Sequence, residues 1–407
     1  MENALLTVQE AQARILAGCT PFTPEWMPLE QALGRALAED VVARLTQPPW
    51  DNSGMDGYAL RAVDTARAGS RLRVVEAIYA GQVPTRALGP GEAARIMTGA
   101  PVPKGATAVV MQERARALEG PGLGEVEVLD AVAAGTNLRP AGEDAKAGEL
   151  LLGRGTSLGI PELALLWGQG FTRALVPRRP QVAILATGDE LCPLDAPRPG
   201  HIIDTNSPSL AAAVWRAGGV PRLLGIARDT LEDVERLLAS ALEADVVLTS
   251  AGVSVGEKDF VRAAFERLEV RSDFWGVAIK PGKPLAFARR GKALVFGLPG
   301  NPTSSLVAFE LFVRPALRRL LGHTDVLPEP VLARSTAELK KRAGLAHYLR
   351  VRATFRDGEL WAEPLATQTS GAVRSASTAT HLLHFPMEAI SVERGAKVQL
   401  LAVSWGP

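Results

Sequence analysis

What most limits the fold of this chain is the run Val182-Ala183-Ile184-Leu185-Ala186, five apolar residues closed by Thr187-Gly188-Asp189-Glu190. A strand with no polar alternation must be covered on both faces, as in parallel sheets flanked by helices. The following residues keep that grammar. Ser207-Pro208 reads as a cap followed by proline at the first helical position, and Gly218-Gly219 closes that helix. A strand over 220–226 comes next. Thr230 then caps a helix whose Leu231, Val234, Leu238 and Leu242 share a face, ahead of the buried strand Val246-Val247-Leu248-Thr249. After an apolar strand at 293–296, the turn Leu298-Pro299-Gly300-Asn301-Pro302 starts a helix to about 321, kinked or interrupted at Pro315. This β-α-β-α-β order predicts an open, doubly wound α/β domain over 178–326.

The flanks follow other patterns. Apolar residues at helical spacing, Val8, Ala11, Ile15 and Leu16, then Leu29, Ala32, Leu33 and Leu37, predict helices over 7–17 and 29–38. Residues 47–58 crowd proline, glycine and Asx together, which predicts a shaped loop. Short apolar pieces at 72–78, 93–97, 106–111 and 125–129, separated by Gly/Pro turns, predict a small β domain ending near Gly142. Beyond 331, alternating strands at 348–355 and 360–365 joined by Asp357-Gly358 predict a second one. A chain of 407 residues exceeds one core, so the expected fold is multi-domain α/β plus β.

Composition removes several function classes. Net charge is +1 from 45 basic and 44 acidic residues without a long basic run, so no nucleic-acid partner is expected. No apolar stretch is long enough to span a bilayer, and the first 16 residues read as an amphipathic helix and not a leader, so a cytoplasmic protein is expected. The two cysteines, Cys19 and Cys192, exclude a disulfide framework or a Cys-rich metal site. His381 and His384 lack an accompanying carboxylate motif and read as structural, and neither a Walker A loop nor a Gly-x-Gly-x-x-Gly turn follows a strand.

In open α/β sheets ligands bind outside the carboxyl ends of the strands. Three glycine-bearing loops leave those ends here: Thr187-Gly188-Asp189-Glu190, residues 250–259 with Ser250, Gly252, Ser254 and Asp259, and Pro299-Gly300-Asn301-Pro302. Glycines let backbone N–H groups approach an anion, so a phosphate-bearing small molecule is expected. Lys280 and Lys283, on the stiff turn Lys280-Pro281-Gly282-Lys283-Pro284, suit an oxyanion. Asp189, Glu190 and Asp259 fall on these loops and Asp229 on the one that leaves the 220–226 strand, and carboxylates beside phosphate are how Mg²⁺ is commonly held. Singly, each has an ordinary reading as turn, helix cap or solvated charge. Their shared placement favours a site.

These blocks, with Pro49-Trp50-Asp51-Asn52-Ser53-Gly54-Met55-Asp56-Gly57-Tyr58, Arg95-Ile96-Met97-Thr98-Gly99 and Gly142-Glu143-Asp144, resemble the MoeA family of molybdopterin molybdenumtransferases, which is similar to the gephyrin E domain. The resemblance implies four domains: a helical one from 1–46 and 145–177, an inserted β-rich one at 47–144, an α/β domain of molybdopterin-binding type at 178–326, and a β-barrel-like one at 327–407. It also implies a homodimer with a shared cleft and transient contact with an adenylyltransferase. The implied reaction inserts molybdate into adenylylated molybdopterin, cleaves the adenylate with Mg²⁺ and releases AMP. Asp229 and Asp259 would position the metal, helped by Glu190 or Asp189. Lys280, Lys283, Ser304, Arg350 and Ser370 would hold molybdate, while Asp56, Thr98 and Asp144 would complete the cleft from the other subunit. The chain departs from many relatives at Gly276, where they carry a basic residue after the tryptophan matched by Trp275. The rival readings are a molybdopterin adenylyltransferase and a non-catalytic gephyrin-like scaffold.

Overall fold

A computed structural model describes residues 5–120, 122–252 and 260–405. Two compact units emerge, one of Met1–Glu39, Arg154–Leu163 and Thr172–Pro407, the other of Asp40–Gly153 and Ala164–Phe171. Among the described residues no helix is long and apolar enough to cross a membrane.

The first unit is organised by a six-stranded sheet in the order Val220–Ala227, Gln181–Thr187, Val246–Ser250, Ala293–Leu298, Ala286–Arg290, Arg271–Trp275. The first four strands are parallel, Ala286–Arg290 runs against them, and Arg271–Trp275 pairs antiparallel with Ala286–Arg290, so the expected doubly wound sheet is present with a mixed edge. Successive residues of the Gln181 strand serve opposite cores. Val182 and Ile184 pack with Leu210, Val214 and Val307 on one face, while Ala183 and Leu185 pack with Val234, Leu238 and Val261 on the other. Two apolar covers leave no position for polar alternation.

Local details correct two expectations in this sheet. The helix after the Gln181 strand is Asn206–Arg216, and its cap is not Ser207. Asp204 Oδ1 accepts from the backbone N–H groups of Asn206 at 3.0 Å and Ser207 at 3.1 Å. Asparagine and aspartate win at such positions because a short side-chain oxygen reaches back to the orphan donors. The break expected at Pro315 lies one turn earlier: α-helix Pro302–Ala308 widens into a π turn over Phe309–Val313 before Arg314–Leu320 resumes. Proline has no N–H and its ring crowds the preceding turn, so the irregularity falls upstream of it. Fully buried Glu310 sits in that π turn, accepting from Arg314 Nη1 at 2.7 Å and from the Ser404 backbone N–H and hydroxyl.

At the amino terminus, helix Val8–Ala17 opens with a capping box between Thr7 and Glu10. The second expected helix shrinks to one 3-10 turn, Leu29–Gln31, because Gly34 at φ +74° turns the chain out of helical space. The chain then runs extended, with Gly34 N–H bonded to Leu158 O at 2.8 Å and Leu37 N–H to Thr156 O at 3.0 Å, leaving Leu33 exposed. Pro24–Pro28 pairs with Arg173–Pro177, so the region expected to be helical is mixed.

The carboxy-terminal strands Val331–Ser335, Ala346–Arg356, Glu359–Pro364, His381–Phe385 and Lys397–Ala402 pair in a ring, a closed five-stranded barrel filled by Val351, Ala362, Leu383, Phe385 and Leu400. Asp357 and Gly358 both take positive φ, 50° and 80°, matching the expected hairpin turn. Ile279–Lys280 joins this barrel, parallel to Ala346 and His347.

The second unit holds the expected small β domain, a six-stranded sheet ordered Ala108–Met111, Gly57–Leu60, Glu92–Ile96, Ser70–Ile78, Glu125–Val128, Ala115–Leu118. Part of the expected 47–58 loop is therefore strand. Gly57 makes this possible: a Cβ there would stand 1.8 Å from Val110 O. Only glycine permits that approach.

Candidate functional site

The carboxyl ends of the parallel strands bring the Thr187, Ser250 and Leu298 loops around a cleft of about 400 Å³ lined by Glu190, Asp204, Asn206, Ser250, Gly252 and Pro299–Pro302. Asn206 ties two of these loops together. Its Nδ2 donates to Ser250 Oγ and to Gly300 O, both at 2.7 Å. Gly252, at φ +73°, lies where a Cβ would come within 2.4 Å of Val261 Cγ2 and 2.9 Å of Thr187 Oγ1. The glycine thus lets the second loop close on the first.

An adjoining cleft of about 870 Å³ is lined by Gly188, Asp189, Arg198, His201, Asp204, Arg228 and Thr230. Asp189, on its lining, and Asp229, between the lining residues Arg228 and Thr230, form a reciprocal pair: Asp229 N–H donates to Asp189 Oδ1 at 3.2 Å and Asp189 N–H to Asp229 Oδ2 at 3.4 Å. The Asp229 carboxylate does not cap the next helix, because Thr230 Oγ1 takes that place by accepting from Asp233 N–H. Glu190 folds its carboxylate back over Gly188, whose hypothetical Cβ would be 2.4 Å from Glu190 Oε2. Among the described residues no three His, Cys, Asp or Glu side chains gather into a metal cage. Two carboxylates nevertheless suit Mg²⁺, which takes most of its shell from water and substrate phosphate. Ser254 and Asp259 lie outside the described residues.

The lysine turn is a second cluster. Lys280 and Lys283 are exposed, and Gly282, at φ +108°, packs its backbone near Ser304 O. Ser304 is buried in the first turn of the Pro302–Ala308 helix. Next to it, Thr303 donates through its N–H at 3.0 Å and its hydroxyl at 2.6 Å to Ser370 O, latching the 367–370 loop onto the same helix start. Arg350 is fully buried behind that loop. Its Nη2 donates to Thr367 O and Thr369 O, both at 3.0 Å, and its Nε to Ser375 Oγ at 2.8 Å, while Nη1 has no hydrogen-bond partner among the described residues. Lys280 also acts on its ladder neighbour: burial first, then Lys280 and Lys341, push the His347 imidazole down to about 4. His347 is therefore neutral at ordinary pH.

In the second unit, Asp56 Oδ1 accepts from Thr98 N–H and Thr98 Oγ1, both at 2.7 Å. The backbone bond and then the hydroxyl bond hold the Asp56 carboxyl below its usual range. Asp144 is exposed, and its N–H donates to Gln47 O. The remaining histidine candidates have ordinary roles, with His381 Nδ1 on Thr380 Oγ1 and His384 stacked on Tyr348. Sequence reasoning missed Asp204 and Asn206. Their signal was the polar run Asp204-Thr205-Asn206-Ser207, of which only the last residue was read as a cap.

Family comparisons cover the chain in three consecutive parts. Residues 6–170 match the MoeA N-terminal region (domain I and II), 183–319 a probable molybdopterin binding domain, and 333–403 the MoeA C-terminal region (domain IV). Molybdopterin molybdenumtransferase of Bacillus subtilis is 36% identical, with 98% of this chain and 94% of the relative covered. Molybdopterin molybdenumtransferase 2 of Mycobacterium tuberculosis is also 36% identical, at 97% and 98% coverage. A solved molybdopterin biosynthesis moeA protein from Pyrococcus horikoshii superposes with a TM-score of 0.83 at 31% identity, covering 98% of this chain and all of the other. With every region matched in order and at full length, the chain belongs to the MoeA family.

Proposed function

We propose that this chain is a molybdopterin molybdenumtransferase that inserts molybdate into adenylylated molybdopterin, cleaving the phosphoanhydride and releasing AMP. The observation that carries the reading is the convergence of three glycine-bearing loops and two carboxylates at the carboxyl end of one parallel sheet. Full-length similarity to proteins named for this activity supports it.

In this reading Thr187, Gly188, Ser250, Gly252, Ser254 and the Pro299-Gly300-Asn301-Pro302 turn hold the pterin and phosphates through short side chains and backbone N–H groups. Asp229 and Asp259 hold Mg²⁺, with Asp189 and Glu190 alongside. When bound, Mg²⁺ would neutralise charge building on the phosphoryl oxygens. Lys280, Lys283 and Ser304 present molybdate to the dithiolene, with Arg350 bracing the loop of Ser370. No cysteine cluster is required, since molybdenum ends on the sulfurs of the pterin itself. The barrel and the β unit favour this reading over an isolated adenylyltransferase domain. Work in the cytoplasm, a transient encounter with the adenylyltransferase that makes the substrate, and the four-domain division complete the proposal. The test is incubation with adenylylated molybdopterin, molybdate and Mg²⁺; absence of AMP release would reject it.

If Asp56, Thr98 and Asp144 complete the cleft from a second subunit, the protein is a stable dimer at micromolar concentration, which sedimentation velocity reads directly. A fully active monomer would rule out the shared cleft. Lys280→Ala and Lys283→Ala should each raise the molybdate concentration for half-maximal rate by about tenfold, the scale of one charge-assisted contact, while leaving Mg²⁺ dependence unchanged. A molybdate titration with unaltered midpoint returns the lysines to the solvated surface.

A further inference from the structure

A second concave site lies in the first unit, away from the loops at the carboxyl ends of the strands. It is a pocket of about 460 Å³ whose lining includes Arg35, Arg179, Arg216, Arg314 and Arg318, with His323, and no carboxylate among its described lining residues. Its arginines come from separate elements: Arg179 just before the Gln181 strand, Arg216 in the last turn of Asn206–Arg216, and Arg314 and Arg318 on Arg314–Leu320. Five arginines from several elements lining one concavity are not the scatter of solvated surface charge.

Several of these groups are only partly satisfied by the protein. Arg35 is 1% exposed; it donates to Pro177 O and to Met27 Sδ, and its Nε has no partner among the described residues. Among the described residues Arg318 donates to the backbone carbonyl of Asp325, through Nε at 3.2 Å and Nη2 at 2.9 Å. Among the described residues, Arg314 is the one of the five that meets a carboxylate at close range, Glu310. Glu25 and Asp325 act on Arg35 and Arg318 at longer range. Arg179 lies 5.6 Å over the ring of exposed Trp215, which supplies an apolar face on the rim. His323 adds no compensating negative charge: its Nδ1 faces Ser157 Oγ at 2.7 Å.

We infer that this pocket binds a small molecule through a diphosphate group, at a site separate from the molybdopterin cleft. Guanidinium forks match phosphate oxygens in pairs, and a pocket of this size falls within the range of small-molecule sites. The mutual repulsion of the arginines agrees: burial first, then Arg179, lowers Arg35, and burial, then Arg314, lowers Arg318. Burial, then Arg318, Arg35 and Arg314, takes His323 down to about 4. A bound anion would offset the repulsion among these groups, the smaller of the two causes in each case. Free pyrophosphate and a nucleoside diphosphate share the chemistry, and Trp215 separates them, because only a nucleotide offers a base to stack on it.

The test is calorimetric titration of the full chain with pyrophosphate and with ADP. Saturable binding of at least one is expected in the native protein and in the Lys280→Ala/Lys283→Ala variant, in which the lysine turn is disabled. Arg179→Glu/Arg216→Glu should weaken that binding by at least about tenfold. Both side chains are on the pocket rim, and the single Arg216→Ala variant, at an exposed helix end, guards against misfolding and should weaken binding in the same direction. If ADP binds more tightly than pyrophosphate, Trp215→Ala should remove the difference, and equal affinity assigns the site to the inorganic anion. No saturable binding of either probe up to millimolar concentration, or unchanged binding in both arginine variants, overturns the site. Loss in the lysine variant with retention in the arginine variants assigns the binding to the lysine turn and overturns it equally.

Discussion

Asp229→Asn is expected to release AMP from adenylylated molybdopterin about 100-fold more slowly than the native protein while binding it with nearly native affinity. The substitution keeps the shape of the side chain and one carbonyl-type oxygen, so the contact from Asp189 N–H to position 229 survives. What disappears is negative charge beside the cleft lining, where Asp189 and Asp229 are tied by reciprocal bonds. Because Thr230 caps the following helix, the change spares the local fold. Backbone and pterin contacts act in ground and transition states alike, whereas charge placed for a divalent cation acts on the phosphoryl group as it is cleaved. Single-turnover AMP release at saturating Mg²⁺, with a thermal melt alongside, separates the outcomes. Near-native release would remove Asp229 from the reaction and leave the Asp189–Asp229 pair as a loop tie.

The second large effect is on stability. Arg314→Met should cost about 3–5 kcal/mol, because it strands the Glu310 carboxylate, which is 0% exposed, without its cation. Ser404 would still donate to one oxygen, but two neutral donors do not replace a buried charge partner. Adding Glu310→Gln to the same chain should recover a large part of the loss, since a neutral amide can keep an acceptor toward Ser404 without a buried charge. Denaturant melts of the two single variants and the double variant close the cycle. An unchanged midpoint in Arg314→Met would show that Ser404 alone satisfies Glu310.

Much of the fold could be read because the sheet is buried on both sides. Val182 to Ala186 could be assigned to a parallel strand from the absence of alternation, and the loops that leave such strands are fixed by topology. The same reasoning put Gly188, Ser250, Gly252 and Gly300 at one sheet end. Reading failed where a single glycine or proline overrode a longer pattern. Leu29, Ala32, Leu33 and Leu37 have helical spacing, yet Gly34 diverts the chain after one turn. Gly57 looked like loop punctuation and is instead a strand position with no room for a Cβ against Val110 O. Asn206 was invisible for another reason. Its importance lies in two hydrogen bonds to loops 44 and 94 residues away, which periodicity cannot show.

The short strand Ile279–Lys280 gives the lysine turn an unusual dependency. Its neighbours in sequence, Arg271–Trp275 and Ala286–Arg290, belong to the α/β sheet, but its own ladder partner is Ala346–His347 in the barrel. The turn is therefore splinted from outside the sheet that encodes it. A chain stopped after residue 326 would keep both lysines and lose the ladder that holds the Lys280 end of the turn. The two segments must then change in step, so a barrel grafted from a distant relative would carry its own aim for the lysines, and anion preference could drift without any substitution in the lysine turn.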